Sequence, residues 1–349
     1  MSRPRLEMVD PVWGAPDVVL PDPTVATTNQ LFELGLDLKR TAEDFLVPPL
    51  RAFARMTSGI PTGELWYVGA FSGDGKTAFF TSLTLDLLEA GKKVYYVPTE
   101  SPAKVIKCHL ACKSLGYDTG DFLSDEYTKW ADSEIAVQRV RAEARRLVSP
   151  AGEQQLWVAD QGYLDPTMLE AHAAMAAELG VDVFVVDHAD HGAGQGRSAY
   201  DINVANQDAL LHVAGAYDLR VIAATQFNLD AVKGNRVLRY LAPRESYVYM
   251  GNRKRQICAG MFGLYRPLRR TGLDLKRLEA FKNGDQSVLL SELLEPNTMA
   301  IHCMKHRKYG DREGKREYVH VHHGRVQDFT GIDSEALSHG ISTTQRSMR

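Results

Sequence analysis

The chain has 349 residues, 41 Lys and Arg against 44 Asp and Glu for a net charge of −3, and 44% hydrophobic residues. These values fit a globular protein with room for one large or two ordinary domains, and they exclude a polycation and a wholly disordered chain. The four cysteines, Cys108, Cys112, Cys258 and Cys303, are too scattered for a disulfide framework, and no apolar run approaches the ~20 residues of a membrane span.

Residues 1 to about 26 carry Pro4, Pro11, Pro16, Pro21 and Pro23 and read as an extended arm. The first eight residues lack the apolar core of a signal peptide, so a cytoplasmic setting is expected. Leu31, Leu34, Leu38, Ala42 and Phe45 then recur at helical spacing, predicting an amphipathic helix that Pro48-Pro49 ends. The arm and this helix, residues 1–57, are expected to precede a core domain of residues 58–330, with a disordered tail over 331–349.

The core opens on the turn Gly59 to Glu64 and a first strand, Leu65 to Val68. Next comes Ala70-Phe71-Ser72-Gly73-Asp74-Gly75-Lys76-Thr77, followed by a helix from Ala78 to Ala90. Glycines at 73 and 75 let successive N–H groups curl around a phosphate. Lys76 then reaches the outer phosphates, and the Thr77 hydroxyl can coordinate Mg²⁺. The usual first glycine of such a loop is Ala70 here. Further strands are predicted over Val94–Val97, Leu156–Ala159, Val183–Asp187 and Leu219–Ala224, with helices over 103–115, 133–147, 168–179 and 205–217. Cys108 and Cys112 lie one turn apart beside His109, and with no second close pair they read as helix packing rather than a zinc site. Strands apolar on both faces, alternating with helices, predict a mainly parallel α/β sheet.

Asp187 closes its strand where a magnesium-orienting acid belongs, and the following residue is His188, so no Glu adjoins it. Glu100, just past the second strand, would lie at the same edge and could deprotonate an attacking water. Gln226 ends the fifth strand there and could sense the γ-phosphate.

Beyond Gln226 the charge changes. Between Val232 and Arg270 stand ten basic residues, opposed only by Glu245. One apolar run, Ile257 to Tyr265, predicts another strand. After a polar stretch over 271–298, three alternating segments, Met299–Met304, Glu317–Val321 and Arg325–Phe329, predict antiparallel edge strands. Lys305 and Arg307 follow the first of these and alternate onto one face. As Lys76 already serves the chain's own loop, they suit fingers inserted into a neighbour's site.

Taken together, the phosphate loop with Ala70, Gly63-Glu64-Leu65, Thr99-Glu100, Asp187-His188, Thr225-Gln226-Phe227-Asn228 and Lys305-x-Arg307-x-x-Gly310 resemble the RecA-like ATPase domain of the DnaB-like replicative helicases, from about Gly59 to Phe329. The resemblance implies a P-loop NTPase using ATP and Mg²⁺, with Ser72 to Ala78 and Asp187 at the nucleotide, Thr77 and Asp187 on the metal, Glu100 as base, Gln226 as sensor, and Lys305 and Arg307 acting in trans. It also implies a homo-oligomer, hexameric in that family, on single-stranded DNA, with a loader or another replication or recombination protein as a further partner. Central loops then fall at 191–200 and 229–255, so Arg197, Lys233, Arg236, Arg239, Arg244, Arg253, Lys254 and Arg255 are expected to meet DNA phosphates. Such helicases carry a helical N-terminal domain, where this chain offers an arm and one helix. A RecA-like ATPase that assembles on DNA or protein without unwinding is the alternative. A small-molecule phosphotransferase, which would carry its closing arginines on an internal lid, is disfavoured.

Overall fold

The computed structural model describes residues 45–123, 133–148, 155–160, 162–190, 199–228, 243–248, 251–266 and 297–328. The chain enters through a two-stranded ladder, β1 (Phe45–Leu46) with β2 (Ile60–Pro61), bracketing helix α1 (Arg51–Thr57). The parallel strands are β3 (Leu65–Ala70), β4 (Val94–Pro98), β5 (Leu156–Val158), β6 (Val183–Asp187), β7 (Val221–Gln226) and β8 (Gly260–Tyr265). Then β9 (Thr298–His306), β10 (Arg316–His322) and β11 (Arg325–Asp328) add antiparallel to one side. Among the described residues these make one sheet, ordered β11-β10-β9-β8-β3-β7-β6-β4-β5.

Both faces of the central strands are buried, which is why they read as continuous apolar runs. Val183 and Val185 of β6 enter one core with Phe79, Leu83 and Ile106, whereas Phe184 and Val186 enter the other with Leu169 and Leu210. The pleat sends successive side chains to opposite faces. Each such side chain, fully buried, contributes about 1.5–3 kcal/mol. The first core is covered by α2 (Lys76–Glu89) and α3 (Ala103–Ser114). The second is covered by α6 (Pro166–Glu178) and α7 (Ala199–Ala216). Two further helices, α4 (Thr119–Leu123) and α5 (Ser133–Val148), precede β5. Asp165 caps α6 by accepting the Met168 N–H at 2.8 Å, with Pro166 opening the first turn.

Two sequence expectations change here. The core does not begin at residue 58, because Phe53 of α1 is fully buried and meets the rings of Phe79 and Phe262 edge-on at 5.2 Å. The Asp328 carboxylate also accepts the Arg51 and Ala52 N–H groups at 2.6 and 2.8 Å, so the last strand ties α1 in place. Secondly, the segment expected as one basic loop over 229–255 contains ordered structure. Phe227 bridges Val248, a 3₁₀ turn spans Glu245–Tyr247, and α8 (Gly251–Ile257) follows. The proline-rich arm, the helix over 31–45, most of the stretch 266–298 and the tail lie outside the described residues.

Candidate active site

Register places four strand ends side by side. Ala70 of β3 pairs with Gln226 of β7, and Pro98 of β4 pairs with Asp187 of β6, while β6 lies between β7 and β4. The phosphate-type loop, Gln226, Asp187 and Glu100 therefore share the carboxyl edge, where ligands gather in open α/β sheets. The loop turns through Gly73 and Gly75 at φ of 81° and 97°. At Gly75 the glycine is doubly required, since a Cβ there would come within 2.6 Å of the Met299 methyl. Helix α2 starts as the Phe79 N–H bonds the Gly75 carbonyl at 2.8 Å, so its N-terminal turn carries Lys76, Thr77 and Ala78. Asp74 and Lys76 are buried, Thr77 and Ala78 are half-buried, and Ser72 is exposed.

Asp187 is buried, and burial pushes its carboxyl above the usual carboxylate range against the Tyr96 hydroxyl, the Lys76 charge and Thr77. Its Oδ2 accepts from Tyr96 at 2.8 Å, while its buried Oδ1 takes no hydrogen bond from the described residues. An orphaned hard oxygen beside a threonine hydroxyl suits Mg²⁺, which takes few protein ligands and completes its shell with phosphate and water. No group of three or more His, Cys, Asp or Glu among the described residues forms an alternative metal site.

Glu100 lies across the edge from Asp187, with its Oε1 2.8 Å from His188 Nε2. Lys254, expected to meet DNA, is fully buried instead. Its ammonium is ion-paired with Asp190 Oδ1 and donates to Thr225 Oγ1 at 2.7 Å. Burial alone would raise the Asp190 carboxyl, but Lys254 and the Gln226 N–H hold it below its ordinary range. A lysine committed to that pair cannot face a phosphate backbone. Its neighbours Arg253 and Arg255 on α8 are exposed, Arg253 bonded to Asp208 and Arg255 3.8 Å from Glu313. Arg244 is exposed, and Arg197, Lys233, Arg236 and Arg239 lie outside the described residues.

The finger candidates sit at the other edge. Trp66 near the start of β3 pairs with Gly260 of β8, which pairs with His306 of β9. Four residues of strand, about 13 Å, separate that row from Ala70. Lys305 Nζ donates to the Arg255 carbonyl and, at 2.6 Å, to that of Cys258. Arg307 Nη2 donates to the Gln256 and Ile257 carbonyls at 3.3 and 3.1 Å. Both cations thus rest on the carbonyl end of α8, a favourable place for positive charge. Lys305 is half-buried there and Arg307 exposed.

Sequence reading missed three participants. Tyr96 holds Asp187, and His188 holds Glu100. Arg266, just past β8, has its guanidinium at the loop, 3.4 Å from where a Gly75 Cβ would stand. Its only advance signal was a cation ending a strand predicted for the same sheet.

No family model and no curated protein matches the sequence. Solved structures do match. A DnaB-like replicative helicase, solved with its interactions with primase, superposes with a TM-score of 0.63 at 13% identity, over 87% of this chain and 68% of that one. A second structure, an ATPase domain solved by itself, gives a TM-score of 0.58 at 14% identity, over 88% of this chain and 99% of that one. The fold is the RecA-like P-loop ATPase fold. At these identities the likeness is one of fold, and it bears out the architecture expected from the motifs, including the antiparallel edge strands. No helix among the described residues is long and apolar enough to cross a membrane.

Proposed function

We propose that the chain is an ATP-hydrolysing motor of DnaB-like type, working as a ring, six-membered by that analogy, on single-stranded DNA. The observation that carries this reading is the separation of charges. Phosphate loop, Asp187, Glu100 and Gln226 share one edge of the sheet, while Lys305 and Arg307 stand at the opposite edge. A finger that cannot reach its own loop has a use if a neighbouring copy presents its loop to it. In this reading the 73–77 N–H groups and Lys76 bind the triphosphate, and Thr77 and Asp187 hold Mg²⁺. Bound there, the ion would neutralise charge on the β- and γ-phosphates. Glu100 takes the proton of the attacking water. Gln226 senses the γ-phosphate, and Arg307, more exposed than Lys305, is the better placed finger. Arg244, Arg253 and Arg255, with the basic residues of 191–200 and 229–242, meet the DNA backbone.

An ATPase assay with and without single-stranded DNA, beside forked-duplex unwinding and a native mass measurement, tests it. We expect hydrolysis that DNA stimulates, a ring-sized oligomer, and strand separation. Stimulation without unwinding would instead favour a RecA-like ATPase that only assembles on DNA. A monomer hydrolysing at full rate would overturn the shared site.

A further inference from the structure

Outside the loop itself, the most connected polar cluster in the described residues runs from Glu100 through His188 and Asp190 to Lys254. His188 is buried between the two strands whose ends form the site. Its backbone N–H donates to Thr99 Oγ1 at 2.9 Å and its carbonyl accepts from the same hydroxyl at 2.9 Å, so residue 188 is clamped to the residue before Glu100. The ring is fixed as well. His188 Nδ1 lies 3.1 Å from the Asp190 N–H, and a backbone N–H can only donate. Nδ1 must therefore be the acceptor, the ring hydrogen sits on Nε2, and Nε2–H donates to Glu100 Oε1 at 2.8 Å.

Asp190 is itself held from three sides. Its Oδ2 accepts from Thr225 Oγ1 at 2.8 Å and from the Gln226 N–H at 2.7 Å, and its Oδ1 pairs with buried Lys254. The residue that sets the imidazole tautomer is thus tied to the backbone of the candidate sensor and to α8. Helix α8 in turn bears Arg253 and Arg255 on its exposed side, and its carbonyl end receives Lys305 and Arg307.

We propose that His188 is a positioning residue for Glu100: Asp190, anchored by Lys254 and the Gln226 N–H, holds the imidazole as the Nε2–H tautomer, which orients the Glu100 carboxylate. This rests on Glu100 being the base of the proposed ATPase. A charged carboxylate accepts such a bond more strongly than a protonated one. The contact therefore keeps Glu100 ionised and fixed in plane until it takes the proton from water.

Two substitutions in the full chain separate this role from packing. His188→Gln can place an N–H where Nε2 stands, whereas His188→Asn can place an acceptor where Nδ1 stands but no donor toward Glu100. The readings are kcat and KM for ATP with single-stranded DNA, and affinity for a fluorescent ATP analogue. We expect His188→Asn to lower kcat on the order of ten- to a hundred-fold, as misplacement of a reacting group does, with analogue affinity within about two-fold of wild type. His188→Gln should restore most of that loss. Equal effects of the two variants, or full turnover by His188→Asn, would overturn the proposal. If the wild-type chain hydrolysed no ATP, the proposed function would fail, and the tautomer would still decide the inference. Selective ¹⁵N-histidine NMR should show His188 protonated at Nε2 in wild type and in Glu100→Ala, because Asp190 sets it. An Nδ1–H ring in either would sink it, including the case in which the His188 variants do not fold.

Discussion

The two edges of the same sheet hold their charged side chains in opposite ways. At the carboxyl edge, Asp187, His188, Asp190 and Lys254 are buried and bonded to one another or to Tyr96, Thr225 and the Gln226 backbone. At the amino edge, Lys305 and Arg307 rest on backbone carbonyls of α8, with Arg307 exposed. Buried polar networks are costly to break, whereas a surface guanidinium exchanges carbonyls for water or phosphate with little net change. The carboxyl edge is built as a fixed cradle and the amino edge as a reagent that can be delivered elsewhere. This difference is what makes a shared site the economical reading of one chain.

The largest expected effect breaks or confirms that contrast directly. Arg307→Ala should lower turnover by about 10³- to 10⁵-fold, the usual contribution of an arginine finger, while nucleotide binding persists. Glu100→Gln should lower it by about 10²- to 10⁴-fold, as loss of a general base does, again with binding intact. Mixing the two dead variants is the decisive step. If Arg307 acts in trans, roughly a quarter of the interfaces in a random ring pair an intact Glu100 with an intact Arg307, and activity returns. If the mixture stays as dead as its parents while a wild-type and Arg307→Ala mixture loses activity only in proportion to dilution, both groups serve one chain's site and the contrast between the edges is wrong.

Next in size is the cost of disturbing the cradle. Lys254→Met removes one partner of a buried ion pair and leaves Asp190 charged and unmatched, which typically costs about 3–5 kcal/mol. Converting both partners, as Asp190→Asn with Lys254→Met, should cost clearly less, since no buried charge is left behind. Urea unfolding of the two variants measures this. A Lys254→Met chain as stable as wild type would mean that this lysine is not committed to Asp190, restoring the possibility that it faces DNA.

That correction also shows what the sequence could and could not carry. The parallel sheet was legible because strands such as Val183–Val186, buried on both faces, are apolar throughout. The phosphate loop and the acids at strand ends were legible because their chemistry demands local spacing. The direction of a single side chain within a basic run was not. Arg253, Lys254 and Arg255 are consecutive, so a helix turns them about 100° apart, and one of the three must face inward. Its partner Asp190 lies 64 residues away, just as Glu100 lies 88 residues from His188. Nothing in the local pattern links such pairs. Helix α8 itself was hidden for the same reason, as its charges read as a solvated loop. Residues 45–57 were assigned to the arm because the prolines at 48 and 49 look like a boundary, whereas Phe53 and the Asp328 cap bind that turn to the core.

The smallest effect sharpens the contrast through two lysines that both donate to helix backbone. Lys305 is half-buried at the amino edge, and burial lowers it only moderately. Lys113 of α3 is fully buried under the carboxyl edge, where it donates to the Ala78 carbonyl at 2.9 Å and to Thr81 Oγ1, pinning the first turns of α2. Burial, then the nearby Arg325 charge, lowers Lys113 to about 7. Its folded pKa thus lies below its unfolded value, so between pH 7 and the ordinary lysine range the unfolded chain binds more protons and stability rises with pH. Each unit of such a shift corresponds to about 1.4 kcal/mol. Thr81 and Ser82 hydroxyls keep their bonds to the Thr77 and Ala78 carbonyls at 2.6 Å without the lysine, so Lys113→Met leaves them satisfied. Urea midpoints of wild type and Lys113→Met at pH 7, 8 and 9 should show wild type gaining on the variant by on the order of 1 kcal/mol per pH unit. Lys305→Met should leave that slope nearly as it was. A wild-type curve parallel to that of Lys113→Met would mean Lys113 keeps its proton throughout, and the cradle would be pinned by a charge rather than by a neutral amine.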